Sequence, residues 1–560
     1  MNIISNLKEN ILNTISQHFN LEAEQRRSII VALNTDKEDN FGDLSCNAAM
    51  ILAKIAKKST QKIAEEIKNL LNEKFPDTIE KIEIAGPGFL NIFLTKKAWL
   101  EIIGQLFALQ NSFYLIKSAQ TKKYLVEFVS ANPTGPLHLG HGRGGIIGDV
   151  LGNVLKFLGN TVEKEFYIND AGTQIQKLGE SFKVRCQQEL GIKVELPEKG
   201  YAGLYLVDLA KECVEEFDED VLLKQDKFFV NYAKAHMLEK IKVDLKAYGI
   251  KFDNWFSEKS LHEDGSIKKV LDELLDKNLA YEKDGALWFR STDFGDEKDR
   301  VLRKKDGELT YISADIAYHK NKFERGFDIL FDVLGQDHHG YVTRLKGTMQ
   351  ALGYNADDLN VILYQLVTLK QGEEALRMSK RAGTFVTLRD IIDEVGTDVA
   401  RFFYLNRKSE AHLDFDLDVA LKKTEENPVY YIQYAYVRTG SLLEKAKVNS
   451  DLKMFIENFN TEQLCDAISK FINKDEIEVM KKIISLQEIL YTITNSHNTH
   501  LLAYYSLELA HRLHNYYAHN RIIDLDNIEQ SKVRLFLIML MRNSLELCLN
   551  LLGLSKPKKM

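Results

Sequence analysis

Two histidines three residues apart, His138 and His141, open a glycine-rich helical pattern in the run His138-Leu139-Gly140-His141-Gly142-Arg143. At a helix N-terminus this spacing puts both on one face, beside backbone N–H groups that favour an anion. Imidazole N–H donors there can stabilise charge that builds on a phosphate under attack. A second run, Arg377-Met378-Ser379-Lys380-Arg381, lies far downstream. It follows a strand-like stretch, Val361 to Leu369, and precedes a helix start at Thr387, with Asp390 completing a capping box. A basic loop so placed can close over a triphosphate, Lys380 neutralising charge on a departing pyrophosphate. Glu127 is a lone carboxylate inside an apolar strand. Its burial is costly unless it meets a cation, either a substrate or an internal Lys or Arg. Tyr311 and Asp315, four apart on a helix, share a face and form either a guanidinium slot or ordinary surface decoration.

The elements that must hold these residues are legible in the hydrophobic pattern. Tyr124 to Ser130 is a nearly continuous apolar run, as expected for a parallel strand covered on both faces. A helix follows to about Leu158, then a strand from Val162 to Ile168 that ends in Asn169-Asp170-Ala171-Gly172. Strand, helix and strand make half of a doubly wound nucleotide fold. Residues 180–290 are mostly helical and charged and look inserted. The sheet is expected to resume with Ile329 to Leu334 and Val361 to Leu369. Gly140, Gly144, Gly148 and Gly152 share one helix face, for close packing on the sheet, for a flat surface under an adenine, or for both. Gly335-Gln336-Asp337 falls at the carboxyl edge of a buried strand, where such sheets bind ligands. His338 and His339 beside it point apart and have no other ligands nearby, so no metal site is expected there.

Residues 1–115 form an α+β module in this reading. Ile4, Leu7, Ile11 and Ile15 mark one helix face, and Ile82 to Leu94 gives two strands around Gly-Pro-Gly. Residues 116–426 make the Rossmann-like parallel-sheet domain. Residues 427–560 are all helical after Asn427-Pro428. The apolar stretch Val533 to Leu554 is broken by Arg534, Arg542 and Glu546 and is expected to be a packed helix, not a membrane span. The chain has 560 residues, 45% of them apolar and 28% charged, as in ordinary globular proteins. Five scattered cysteines with no CxxC pair argue against a disulfide framework and a cysteine zinc site and fit a reducing cytoplasm. Lys8 and Glu9 interrupt the first apolar pattern, so no signal peptide is expected. A net charge of −7 favours a metabolic enzyme over a dedicated RNA binder, so any RNA must meet local basic patches.

The stretch Glu127 to His141 (EFVSANPTGPLHLGH) resembles the form this motif takes in arginyl-tRNA synthetases, a class I family. Asn169-Asp170-Ala171-Gly172, Asn40-Phe41-Gly42-Asp43 and Gly86-Pro87-Gly88-Phe89-Leu90 extend the resemblance nearly end to end. The second run resembles the family's Lys-Met-Ser-Lys-Ser motif, with Arg377 for the first lysine and Arg381 for the last serine. The resemblance implies catalysis by His138, His141 and Lys380. It implies ATP binding by Gly140, Gly144, Asp337, Arg377, Met378, Ser379 and Lys380. It implies arginine binding by Glu127, Asn132, His138, Tyr311, Asp315 and Gln336. Mg2+ would enter with ATP and no protein metal site is implied. The expected partners are tRNA-Arg, met through an N-terminal tRNA-elbow module and a C-terminal anticodon-binding bundle, together with ATP and L-arginine. A monomer without membrane attachment is expected, and arginine activation in this family usually requires bound tRNA. Tyr430 and Tyr434 share a face and are either core or a base-stacking surface. The rival readings are a lysyl or glutamyl class I synthetase, a non-catalytic tRNA-binding paralogue, and a cytidylyltransferase, which would be much shorter.

Overall fold

The computed structural model describes residues 2–35, 41–115, 121–372, 374–375, 386–458 and 470–560. Its centre is a five-stranded sheet, parallel throughout, in the spatial order Leu359–Tyr364, Ile329–Gly335, Lys123–Phe128, Thr161–Ile168, Asn254–Ser257. Strand order therefore reverses between Lys123–Phe128 and Ile329–Gly335, the doubly wound arrangement.

Alternation along the strands assigns two apolar faces. Val126, Phe128, Phe331 and Val333 belong to a core shared with the Leu139–Phe157 helix, the N-terminal module and the C-terminal helices. Leu125, Tyr167 and Leu330 belong to a second core, under the helices Tyr311–Glu324 and His339–Ala351. Burial on both faces is why these strands read as unbroken apolar runs.

Two expectations change. The stretch 180–290 is not wholly outside the sheet, because Asn254–Ser257 forms its edge strand. It has only four half-buried residues, too few for a recognisable period. Val361 to Leu369 is not one strand. Leu359–Tyr364 ends the parallel sheet, and Val367–Gln371 starts a separate sheet beside Leu413–Asp416. The break is at Gln365, whose N–H donates to the Ser409 carbonyl (2.9 Å) and whose own carbonyl accepts from Arg143 (2.8 Å).

The opening helix, Ile3–His18, buries Ile4, Leu7, Ile11 and Ile15 against an antiparallel four-stranded sheet that includes Ile79–Ala85 and Phe89–Leu94. Long helices close the chain: Pro428–Ala446, Lys474–Ser496, His500–His519 and Ile528–Leu552. Ile528–Leu552 has the length and composition of a membrane span, but it is largely buried within the bundle, the packed helix expected from its charges.

Candidate active site

The reversal of strand order creates a crevice beyond the carboxyl ends of Lys123–Phe128 and Ile329–Gly335. The first of these strands ends abruptly. Val129 and Ser130 have φ of 67° and 39°, left-handed values that a β-branched valine rarely adopts. The turn brings Ser130 back, so that its Oγ donates to Glu127 Oε1 (2.8 Å) while accepting the Tyr167 N–H (3.1 Å).

His138 is the N-cap of the Leu139–Phe157 helix, and His141 is its third residue. Gly140 N–H donates to His138 Nδ1 (3.1 Å), and His138 N–H donates to His141 Nδ1 (3.2 Å). The rings stack at 3.6 Å between centroids. With each Nδ1 accepting, the neutral tautomer carries its proton on Nε2. The histidines thus cap the helix reciprocally, as serine and glutamate do in a capping box, and keep Nε2–H as a donor. Arg143, fully buried, anchors the next turn by donating to the Gln365 and Lys408 carbonyls (2.8 and 2.9 Å).

The second motif, with Arg377, Met378, Ser379, Lys380 and Arg381, lies outside the described residues. Its exit is fixed at the histidines: Thr387 forms a β-bridge with His138, and Leu388 N–H donates to the Leu137 carbonyl (2.8 Å). The Thr387/Asp390 capping box forms, with bonds of 3.0 and 2.8 Å.

On the opposite face of the sheet, Asp332, Glu127 and Glu165 are register partners on three adjacent strands. Like charges placed directly opposite repel, and burial is costly for each. One helix, Tyr311–Glu324, and the residue after it answer all three. Lys322 Nζ lies 2.5 Å from Glu127 and 2.7 Å from Asp332. His319 Nε2 meets Asp332 (2.7 Å), Tyr318 OH donates to Glu165 (2.6 Å), and Arg325 pairs with Glu165 (2.6 Å). Burial pushes the Glu127 carboxyl up against the opposing pull of Lys322. Burial also opposes ionisation of Asp332, but the charges of Lys322 and His319 hold it well below the usual carboxylate range. Glu127, His319 and Asp332 have a spacing that suits a metal ion. Lys322 Nζ already sits between the two carboxylates, so the cluster does not fit one.

Tyr311 and Asp315 begin the same helix. Tyr311 is exposed at 64%, and Asp315 accepts a hydrogen bond from Tyr341 OH. Burial raises the Asp315 carboxyl. Glu258, which sequence reasoning missed, is buried as well, and its carboxyl is raised by burial and then by the charge of Asp315. Neither has a Lys or Arg nitrogen within 4.0 Å among the described residues, and His262 lies 3.6 Å from Glu258. Gln336 and Asp337 follow the Ile329–Gly335 strand, with Asp337 exposed. Asn132 donates to Gln174 (2.9 Å) at the start of the Thr173–Glu189 helix.

The helix glycines face the sheet. A Cβ at Gly148 would lie 2.3 Å from Phe128, one at Gly144 2.7 Å from Tyr364, and one at Gly152 2.6 Å from Lys164. Close packing accounts for these three. At Gly140 the neighbour is the His138 ring, at 3.0 Å.

In the C-terminal helices Tyr430 and Tyr434 stack at 6.5 Å. Arg438 lies over Tyr434 and Tyr517 at 4.7 and 4.8 Å, and His514 stacks on Tyr434 at 5.6 Å. Burial and then the Arg438 charge lower His514 to about 4, so it is neutral beside the guanidinium. Tyr434 and Tyr517 are exposed.

Three family models match the chain: "tRNA synthetases class I (R), catalytic domain" over residues 103–413, "Arginyl tRNA synthetase N terminal domain" over 5–94, and "DALR anticodon binding domain" over 432–560. An arginine–tRNA ligase of Oceanobacillus iheyensis is 42% identical, over 99% of this chain and 98% of its own length. Arginine–tRNA ligase 1 of Halalkalibacterium halodurans is 43% identical, over 95% of this chain and 94% of its own. Thermus thermophilus arginyl-tRNA synthetase shares the fold across both whole chains, with a TM-score of 0.76 at 21% identity.

Proposed function

The chain belongs to the class I arginyl-tRNA synthetase family, and from that premise we propose how its residues perform the reaction. It is an arginine–tRNA ligase. It activates L-arginine with ATP to arginyl-adenylate and transfers arginine to the 3′-terminal adenosine of tRNA-Arg, releasing AMP and diphosphate. Class I synthetases generally use ATP with Mg2+. In this reading the ion would enter with the nucleotide and would supply positive charge to its phosphates, and no residue of this chain is assigned to hold it.

The observation that carries the assignment of roles is the pair of stacked histidines at the crevice, each held through Nδ1. Their Nε2–H groups would donate to the α-phosphate as charge builds there. Lys380 would neutralise the pyrophosphate, and the anchoring of Thr387 at His138 supports its reach to the site. Gly140, Gly144, Asp337, Arg377, Met378 and Ser379 would bind ATP. Asp315, Glu127 and Tyr311 would take the guanidinium, a planar fork suited to paired carboxylates. Asn132, His138 and Gln336 would hold the α-amino and carboxylate groups. Two carboxylates without a Lys or Arg partner among the described residues, Asp315 and Glu258, support a cationic substrate.

The aromatic and guanidinium face of Tyr430, Tyr434, Arg438 and Tyr517 would stack unpaired tRNA bases. This gives an acidic chain a local RNA surface. A reducing cytoplasm fits the four buried, unpaired cysteines described, and a monomer is what the family resemblance implies.

The test is ATP–pyrophosphate exchange with arginine, with and without tRNA, using lysine and glutamate as controls. Exchange with arginine that needs tRNA is the expected result. Exchange with lysine instead would overturn the assigned slot.

A further inference from the structure

We infer that Lys322 is a positioning residue for arginine recognition, setting both halves of the slot at once. The inference rests on the reading that Glu127, Tyr311 and Asp315 take the guanidinium.

Those residues come from different elements. Glu127 stands on the central strand, and Tyr311 and Asp315 stand on the helix above it. Something must hold helix to strand at a fixed height. Lys322 is fully buried, 195 positions from Glu127 in sequence. Its Nζ joins Glu127 Oε2 and Asp332 Oδ1, and it lies over the Tyr318 ring at 4.3 Å. Seven residues separate Lys322 from Asp315, two helical turns along one face. The ion pair that neutralises the carboxylate row therefore also ties the helix that carries Asp315, about 10 Å further along its axis, to the strand that carries Glu127.

The same ion pair also fixes the rotamer of Glu127. Lys322 holds Oε2 and Ser130 holds Oε1, so each oxygen keeps its remaining lone pair in one direction. A guanidinium arriving from the crevice meets a carboxylate already aimed. The charge follows the same division. Glu127 and Asp332 are offset by Lys322, while Asp315 and Glu258 have no Lys or Arg within 4.0 Å among the described residues. Attraction for the substrate cation is thereby concentrated on the outer carboxylates, and Glu127 contributes direction. Without Lys322 the register-paired carboxylates of Glu127 and Asp332 keep only Ser130 on Glu127 and His319 on Asp332, and with no cation between them they are driven to separate or share a proton. Either response moves Glu127.

The test is tRNA-supported, arginine-dependent ATP–pyrophosphate exchange by the full-length chain, reading KM for arginine, KM for ATP and kcat separately. Lys322→Met is expected to raise KM for arginine by roughly tenfold or more, the scale of a lost charge-assisted contact, with KM for ATP within about twofold. Lys322→Arg, which keeps the charge, is expected to recover most of the arginine KM. A folded Lys322→Met protein with unchanged arginine KM overturns the inference. So does an equal rise in both KM values, which marks a general structural role. If Lys322→Met does not fold, Asp332→Asn serves: it leaves the whole Lys322 charge on Glu127, so arginine KM must rise, and an unchanged value overturns the inference. Failure of the unmodified chain to exchange with arginine would instead count against the ligase reading itself.

Discussion

Replacing Arg401 with methionine should loosen the seam between the C-terminal helices and the catalytic sheet. Arg401 is 1% exposed. Its Nε donates to the Leu552 carbonyl (3.0 Å), Nη1 to the Tyr248 carbonyl (2.9 Å), and Nη2 to Asp149 (2.5 Å). Both carbonyls sit at helix C-termini, where no intrahelical partner exists. Methionine keeps the apolar stem, reaches only to about the Nε position, and donates nothing. Two buried acceptors left unpaired cost about 1–3 kcal/mol each. Asp149 keeps Lys164 at 2.6 Å, so only part of the ~3–5 kcal/mol for breaking a buried pair is added. The expected loss is about 3–6 kcal/mol, concentrated at the seam. Several packed units make a single melting temperature a poor readout. Native-state hydrogen exchange resolves the seam: amides near Asp149 and near Leu552 should exchange roughly 10²–10⁴-fold faster. Gly553→Ala should do the same, because a Cβ there would lie 2.1 Å from Arg401 Nη2 at φ +68°. Burial resists the ionisation of Asp149, but Arg401 and Lys164 hold its carboxyl below the usual range. Its contribution to stability is therefore complete above the unfolded-state pKa and is lost as pH falls through the lower folded value. That acid limb should shrink in Arg401→Met. Acceleration under tenfold, or spread evenly over the chain, would refute the reasoning.

His138→Asn should retain the helix cap while arginine-dependent exchange falls about 10²–10³-fold, the scale of a lost transition-state donor. Comparing melting curves with exchange rates separates the two roles. Arginine affinity should weaken on acidification at a pH above the ordinary aspartate range. The Asp315 carboxyl is raised by burial, and only its ionised form attracts the guanidinium. Calorimetric titration of arginine upward from about pH 4, the ordinary aspartate value, reads this, and an affinity that does not fall anywhere above that value would sink the Asp315 assignment. Tyr434→Ala and Arg438→Ala should each weaken tRNA binding by roughly tenfold, measured by filter binding at one fixed salt concentration. Arginine KM should change little in these two variants.

Much of the frame is legible in the sequence for one physical reason: strands buried on both faces read as nearly continuous apolar runs. Lys123–Phe128 and Ile329–Gly335 show it. The edge strand Asn254–Ser257 is half-buried along its length and carries no such signal. The bend at Gln365 is equally silent, because Arg143 and Ser409 impose it from a distance. Glu127 stands out as a carboxylate in an apolar run, yet nothing near it announces Lys322. Asp332, a second lone carboxylate in an apolar run, was the available clue. The four-residue spacing of the glycines marks a face but does not say that Tyr364, Phe128 and Lys164 fill it. The Thr387/Asp390 capping box is read correctly because it is local, needing only residues three apart.

The helix Leu139–Phe157 joins these observations. Its first turn carries the two histidines, its glycine face lies against the sheet, and Asp149 and Asn153 face the C-terminal helices. Asn153 donates to the Leu551 carbonyl (3.0 Å), and Asp149 reaches Leu552 through Arg401. A rigid helix rises about 1.5 Å per residue, so the histidines and this seam are roughly 15–20 Å apart on one body. Glycines packed under 3 Å from where a Cβ would sit leave no slack between helix and sheet. Any tilt imposed on the C-terminal helices by a bound tRNA must then move the helix as a unit, or break the Arg401 clasp. The first outcome carries RNA docking to the histidines, and the second uncouples it. Arg401→Met, which weakens the clasp without touching the crevice, should therefore lessen the stimulation of exchange by tRNA more than it lowers arginine affinity.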